Sequence, residues 1–355
     1  MLLFDRRSAT ADDADARPAA GAAPARLVDS FGRAITYVRL SVTDRCNFRC
    51  VYCMSEKMTF LPHAELLSLE ELDRLCAIFI RLGVRKIRVT GGEPLVRRGV
   101  MALFHSLSRR LRENALDELT LTTNGSRLAQ FAGALAGCGV RRVNVSLDTL
   151  DAATFSAIAR RGELAEALAG VEAADRAGMR VKINAVAQKG VTEAAAETLI
   201  RWAHGRNYDL AFIEVMPLGD VQSEWSRRFL SLAQLRADLS QRLTLTPAPY
   251  RSGGPARYWR VEETGGLVGF IPPMTHSFCE GCNRVRITCS GRMYLCLGRE
   301  SAVDLGKILR ESENDDPVAA AIRDGVARKP KGHAFGARET DAAALSARPI
   351  SLTGG

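Results

Sequence analysis

The chain has 355 residues, 46% of them hydrophobic and 25% charged, with a formal net charge of +9. That is ample apolar material for one large domain, or one large plus one small, and no apolar run is long enough to span a bilayer. The positive balance favours an anionic partner, with nucleic acid, a nucleotide and a phosphorylated substrate all fitting. No long Lys/Arg block occurs, so a solvated basic surface is the plain alternative.

Taken in order, the start Met1-Leu2-Leu3-Phe4-Asp5-Arg6-Arg7 has too short an apolar run for a secretory signal. Nine cysteines, seven of them in two spaced groups, then read as metal ligands in a reducing cytosol rather than as disulfides. A cytoplasmic protein is expected. Residues 1–26 include an Ala-, Asp- and Pro-rich stretch without apolar period, which predicts a disordered tail. Order should begin near Leu27, with Asp29-Ser30-Phe31-Gly32-Arg33 turning into a first strand at Tyr37–Thr43.

Directly after that strand come Cys46, Cys50 and Cys53, with three residues between the first pair and two between the second. A loop at a strand end can turn three thiolates to one point. Three thiolates satisfy three irons of a four-iron cluster and leave the fourth open to a small molecule. A zinc site or a redox thiol pair is the alternative, and zinc would want a fourth ligand, for which His63 is the nearest candidate.

From Tyr37 to about Gly219 the pattern alternates. Further β-type runs lie at Val84–Val89, Leu119–Thr122, Val143–Leu147, Val181–Val186 and Leu210–Val215, six strands in all. Helical patterns separate them. Ser68 and Glu71 form a capping-box signature, and Gly83, Gly139 and Gly178 stand where helix C-caps should. Such alternation predicts an α/β fold with a parallel sheet, either open and doubly wound or a partial barrel, with the chemistry at the C-terminal strand ends. Those ends carry Thr90-Gly91-Gly92-Glu93-Pro94, Thr122-Thr123-Asn124-Gly125, Ser146-Leu147-Asp148 and Met216-Pro217, with Asn184 inside the fifth strand. Lys86, Arg88 and Lys182 alternate with apolar residues inside strands, as does Arg39. They either face inward and require an anion or snorkel outward between helices. Facing inward, they would make a triphosphate cradle.

The second half differs. A linker, a helix around Leu232–Leu243 and a Pro/Gly-rich loop reaching Gly254 precede β-type runs at Arg257–Val261 and Gly266–Ile271. Cys279 and Cys282 follow in Cys279-Glu280-Gly281-Cys282-Asn283-Arg284-Val285-Arg286, and Cys296 lies beyond a turn at Ser290-Gly291 that folds it back toward the pair. Cys289 is a weaker fourth thiol, which would close a zinc ribbon.

The Cys-x3-Cys-x2-Cys loop, with Tyr52 before its last thiol, resembles the radical S-adenosylmethionine (SAM) enzymes. Adding Cys-x2-Cys-Asn-Arg-x-Arg, the later Cys296 and the terminal Gly354-Gly355, the chain from about Leu27 to Gly355 resembles the GTP 3′,8-cyclases of molybdenum-cofactor biosynthesis. The resemblance implies a partial (β/α)6 TIM-type barrel over 27–220 and a C-terminal α+β extension over 221–355 that carries a second cluster. It implies two [4Fe–4S] clusters and SAM as cofactors, and GTP as substrate. Cys46, Cys50 and Cys53 would hold the SAM-cleaving cluster, while Cys279, Cys282 and Cys296 would hold the second, whose open iron meets guanine. Tyr52, Gly92, Ser146 and Met216 match SAM contacts. Arg39, Arg88, Thr122, Lys182, Arg284 and Arg286 match GTP contacts, with Lys86 a further member of the phosphate site. In that family SAM is cleaved to methionine and a 5′-deoxyadenosyl radical, which takes hydrogen from C3′ of GTP, and C3′ then bonds to C8 of the guanine. A low-potential donor of flavodoxin or ferredoxin type and the cyclic pyranopterin monophosphate synthase that acts next are implied, with a homodimer as one candidate assembly and neither nucleic acid nor membrane as partner. Two departures stand out: Ala211 occupies a place where an Arg is expected, and Cys289 is an extra thiol. The rival readings are another two-cluster radical SAM enzyme, such as a peptide maturase, and a basic zinc protein that binds RNA.

Overall fold

The computed structural model describes residues 26–219, 224–252, 254–276, 278–335 and 348–354. The expected tail before Arg26, the region boundary near residue 220 and Gly355 lie outside the described residues.

Six strands form where the alternating runs predict them, each within two or three residues: β1 (Tyr37–Ser41), β2 (Lys86–Thr90), β3 (Glu118–Thr123), β4 (Arg142–Ser146), β5 (Arg180–Ala187) and β6 (Asp209–Glu214). Between them run α1 (Leu69–Arg81), α2 (Met101–Arg112), α3 (Leu128–Gly137), the pair α4 (Ala152–Ala159) and α5 (Leu164–Arg176), and α6 (Thr192–Gly205). Ser68 caps α1 by accepting from Glu71 N at 3.1 Å, while Glu71 returns an acceptor to Ser68 N at 2.6 Å.

All six strands are parallel and neighbours in sequence order. Their period-two pattern sorts side chains by face. Val38, Leu40, Ile87, Val89, Leu121, Val143, Val145, Val181, Ile183 and Phe212 pack with the helices into one core. Burial of each such side chain contributes roughly 1.5–3 kcal/mol. The intervening residues, among them Arg39, Lys86, Arg88, Thr122, Asn144 and Lys182, line the concave interior. The apolar face therefore carries the folding energy, and the polar face is free for function.

After α7 (Trp225–Arg228) and α8 (Leu232–Leu239), the chain forms β7 (Leu245–Ala248), β8 (Arg257–Val261) and β9 (Gly266–Ile271), then β10 (Arg284–Ile287), β11 (Arg292–Tyr294) and β12 (Ala302–Asp304), with α9 (Leu305–Glu311), α10 (Asp316–Ala327) and the single turn α11 (Ile350–Thr353). These strands do not make a separate sheet. β9 pairs parallel with β6, and β10 pairs parallel with β1. The result is one open twelve-stranded sheet, β12-β11-β10-β1-β2-β3-β4-β5-β6-β9-β8-β7, whose central eight strands are parallel. The partial barrel thus holds as expected, but its extension continues the barrel wall at both edges. Pairing partners so distant in sequence leave no local signal. β7 falls in the stretch read as loop: Pro247 has no N–H to give, and the strand accommodates it because it is the outermost one, paired to β8 alone.

The connection from β9 to β10 joins the two edges of the parallel run and carries Cys279 and Cys282. Glu214, at the end of β6 and fully buried, fixes it. Its carboxylate accepts from Met274 N at 2.9 Å, Thr275 N at 3.1 Å and Thr275 Oγ1 at 2.6 Å, and from Leu232 N at 3.2 Å. No helix among the described residues is long and apolar enough to cross a membrane. Replacing Glu214 with Ala leaves the buried Leu232 N and the part-buried Met274 N and Thr275 N without their acceptor, and a buried donor left unpaired costs about 1–3 kcal/mol. Glu214→Ala is expected to cost about 1–3 kcal/mol in a denaturant titration; an unchanged midpoint would show that the connection is not held from β6.

Candidate active site

Both groups of thiols open onto the same cavity, of about 310 Å³, on the concave side of the sheet. Cys46, Cys50, Cys53, Cys279, Cys282 and Cys296 all line it, as do Tyr52, Gly92, Ser146 and Met216, and Arg39, Lys86, Arg88, Thr122, Lys182, Arg284 and Arg286. The cluster, SAM and GTP residues that the resemblance implies all line this one space. The basic side chains therefore face inward.

The first thiol loop is held by backbone. Gly92 N donates to Thr43 O at 2.8 Å and Glu93 N to Arg45 O at 2.9 Å, which lays the Gly-Gly-Glu segment against the start of the loop. The approach is so close that a Cβ on Gly91 would lie 2.6 Å from Thr43 O, and one on Gly92 would lie 2.7 Å from Asp44 O. Glu93 is fully buried and accepts from Thr123 Oγ1 at 2.8 Å, Asn124 N at 2.7 Å and Leu95 N at 3.0 Å, so it ties the end of β2 to that of β3. Burial nonetheless raises its carboxyl to about 7. Arg49 closes the loop through Nη1 to Cys46 O at 2.6 Å. Tyr52 Oη donates to Asp148 Oδ2 at 2.8 Å, and Asp148 Oδ1 accepts from Val186 N at 2.8 Å. Burial pushes the Cys46 and Cys53 thiols up to about 12.

Arg33 fixes the second loop. Asp29 accepts from Phe31 N and Arg33 N, the expected turn, and holds the Arg33 guanidinium at 2.6 Å. Arg33 then donates to Cys279 O at 2.7 Å, Pro330 O at 2.7 Å and Lys331 O at 2.8 Å. Burial raises the Cys282 thiol, but Lys329 and Arg284 outweigh it and the net shift is downward. Lys329 is buried and bonds Leu295 O next to Cys296, a second-loop cation that sequence reasoning missed.

Several expectations change here. Cys289 is fully buried, and its carbonyl accepts from Leu67 N at 2.8 Å. It does not line the cavity, so it is no fourth ligand. His63 is exposed and does not line it either. Among the described residues no three His, Cys, Asp or Glu side chains are gathered closely enough to share one ion. Lys86 pairs with Glu118, which also holds Arg142 at 2.6 Å. Arg142 lines the cavity unforeseen because the fourth strand starts one residue before its apolar run. Ala211 faces Gly269 across the β6–β9 ladder, and Tyr258 lies over both: a Cβ on Gly269 would sit 2.9 Å from the Tyr258 ring and 3.3 Å from Ala211 Cβ. Tyr258 Oη accepts from Lys182 Nζ at 2.8 Å and donates to Ser252 Oγ at 2.9 Å. Burial, with Arg142 and Arg88 nearby and Asp209 opposing, lowers Lys182 to about 8.

The donor set fits iron–sulfur clusters and an anionic ligand. Thr122 Oγ1, Asn144 Oδ1, Asn184 Oδ1, Arg88 Nε and Arg284 Nε are buried without hydrogen-bond partners, and all five residues line the cavity. Buried polar atoms left open in this number are met by water or by a ligand that fills the cavity.

Residues 40–203 match the Radical SAM superfamily, and residues 208–335 match the Molybdenum Cofactor Synthesis C family. A GTP 3′,8-cyclase from Brucella ovis is 58% identical over 329 residues, covering 93% of this chain and 96% of its own. The GTP 3′,8-cyclase of Brucella abortus is 57% identical with the same coverage. Among solved structures, Streptococcus suis SuiB bound to precursor peptide SuiA aligns with a TM-score of 0.59 at 14% identity, over 89% of this chain and 75% of that one. SuiB bound to S-adenosylmethionine aligns at 0.58, with 14% identity, over 90% and 78%. At that identity the likeness concerns the fold alone. Gly92→Ala is expected to push Asp44 and Arg45 away and misplace Cys46, so that anaerobically reconstituted protein loses on the order of four irons per chain. Full iron content in that variant would show that the glycine is not needed to place the thiol.

Proposed function

With the chain a member of the GTP 3′,8-cyclase family within the radical SAM superfamily, we propose that its concave cavity converts GTP to 3′,8-cyclo-7,8-dihydro-GTP, the first step of molybdenum cofactor biosynthesis, with the roles below. The carrying observation is that two thiol triads and an inward-facing basic wall share one cavity. Cys46, Cys50 and Cys53 would hold a [4Fe–4S] cluster with an open iron for SAM; Cys279, Cys282 and Cys296 would hold a second. When bound, the first cluster and SAM together supply a carbon radical strong enough to take hydrogen from a sugar C–H.

The chain's own residues select which C–H. Tyr52, fixed through Asp148, together with Gly92, Ser146 and Met216, positions SAM beside the Cys46 loop. Arg39, Arg88, Thr122, Lys182, Arg284 and Arg286 hold GTP. The register places Arg286, Arg39 and Arg88 in one row across β10, β1 and β2, and Thr122, Asn144 and Lys182 in another across β3, β4 and β5. Such rows grip a triphosphate at several oxygens at once, which fixes the ribose relative to SAM. Lys86 joins only if Glu118 releases it. Cys279, Cys282 and Cys296 would hold the cluster that, when bound, would anchor the guanine, and Arg284, two residues from Cys282, would orient the base there. The last described residues come close as well: Arg286 donates to Thr353 O at 3.4 Å and to Gly354 O, and Ser351 lines the cavity. The division near residue 220 into a barrel and a cluster- and GTP-binding region is part of this reading, as are a flavodoxin- or ferredoxin-type donor and hand-over of the product to the cyclic pyranopterin monophosphate synthase.

Anaerobic reconstitution with iron and sulfide should give about eight irons and no zinc per chain. With dithionite and SAM, 5′-deoxyadenosine should form faster when GTP is added, together with a cyclised nucleotide. Cys53→Ala should abolish SAM cleavage. Arg284→Ala should keep the first cluster and lose about ten- to a hundredfold in kcat/KM for GTP, the worth of a charged hydrogen bond. SAM cleavage indifferent to GTP would leave the superfamily and remove the substrate.

A further inference from the structure

The basic wall closes around one aromatic side chain. Tyr37 of β1 pairs in register with Arg284 of β10 on one side and Lys86 of β2 on the other. Lys86 Nζ, Arg284 and Arg88 approach its ring, at 5.2, 5.6 and 5.7 Å from the centroid. Its hydroxyl accepts from Arg39 Nε at 3.3 Å. The side chain is buried, 5% exposed, and lines the cavity.

Four cations around one tyrosine repel each other, and burial deepens the repulsion. Glu118 balances Lys86. No described carboxylate lies within ion-pair reach of Arg39, Arg88 or Arg284, and the Nε atoms of Arg88 and Arg284 are buried without partners. What faces those guanidinium groups is the negative π-face and the oxygen of Tyr37, an arrangement that attracts cations when desolvated.

On the reading that GTP's triphosphate enters this cavity, we propose that Tyr37 is the positioning residue of the phosphate site: it gathers Arg39, Arg88 and Arg284 in the free enzyme, beside a Lys86 held by Glu118, and yields the three arginines to the phosphates on binding.

The same geometry couples binding to a proton. The charged groups facing Tyr37 are Arg39 on its own strand, Lys86 and Arg88 on β2, and Arg284 and Arg286 on β10, with Glu118 of β3 behind Lys86. Burial opposes ionisation of the phenol, but Arg88, Arg39 and Arg284 outweigh it and bring it down to about 7. A triphosphate occupies those cations and adds negative charge of its own, so it raises the phenol again. The group is then more basic in the complex than in the free enzyme. Binding takes up a proton from solvent between the two pKa values, and affinity falls as pH rises above about 7.

Calorimetry of GTP binding to the cluster-loaded enzyme, without SAM and in two buffers of different ionisation heat, reads that proton. At about pH 8 the γ-phosphate is already ionised, and wild type is expected to take up about half a proton or more beyond Tyr37→Phe. Lys182 titrates in the same range, so Lys182→Met is the companion variant and should keep the Tyr37 share. In turnover, Tyr37→Phe should raise KM for GTP about three- to tenfold with a smaller effect on kcat. Equal uptake by wild type and Tyr37→Phe, or uptake abolished in Lys182→Met, overturns the proposal. Wild type that binds GTP no tighter than guanosine overturns the cavity reading itself.

Discussion

Positive charge turned inward is the constraint on which the rest of the structure depends. A parallel strand must place every second residue on its concave side, and in β1, β2, β5 and β10 those residues are Arg39, Lys86, Arg88, Lys182, Arg284 and Arg286. Gathering them costs free energy through desolvation and through mutual repulsion; burial and like charge together depress Arg88 to about 10. The apolar outer face of the same strands offsets that cost against α1 to α6. The fold can therefore keep a cavity ready for a polyanion before any polyanion arrives.

The thiols depend on a different device. Neither cysteine loop has regular structure of its own beyond single turns, so each is held from outside. The first rests on the Gly91-Gly92 backbone and on Glu93, which links two strand ends through three acceptor contacts. The second rests on Arg33, which reaches three carbonyls from the opposite end of the chain, and on Glu214 at the end of β6. Charged groups with several fixed partners are well suited to this work, because each partner removes a degree of freedom from the loop.

Much of this is legible in the sequence because it depends on local spacing. The six strands follow from alternation, the capping box at Ser68 and Glu71 from two residues, and both thiol triads from their intervals. What sequence does not carry is contact between distant segments. The parallel pairing of β9 with β6 and β10 with β1, the reach of Arg33 to Cys279, and the ring of Tyr37 among four cations are all of that kind. The direction of Lys86, Arg88 and Lys182 stays two-valued until a register fixes it. Cys289, the weaker fourth thiol by its short interval, proves to be core: it is fully buried outside the cavity that Cys296 lines. Arg142 escapes notice for a smaller reason: it stands one position ahead of the apolar run that marks its strand.

The pairing of β10 with β1 also sets an order of events during synthesis. β1 leaves the ribosome early, yet its second neighbour comes from Arg284–Ile287, late in the chain. Until then one edge of the barrel has unpaired backbone groups, and the Cys46 loop beside it borders a half-built wall. Closure of so long a loop is slow and exposes strand edges meanwhile. The two family matches, one over each part of the chain, thus describe regions that complete each other's sheet rather than modules that could be exchanged, and a nascent chain halted between them would present a sticky edge to its neighbours.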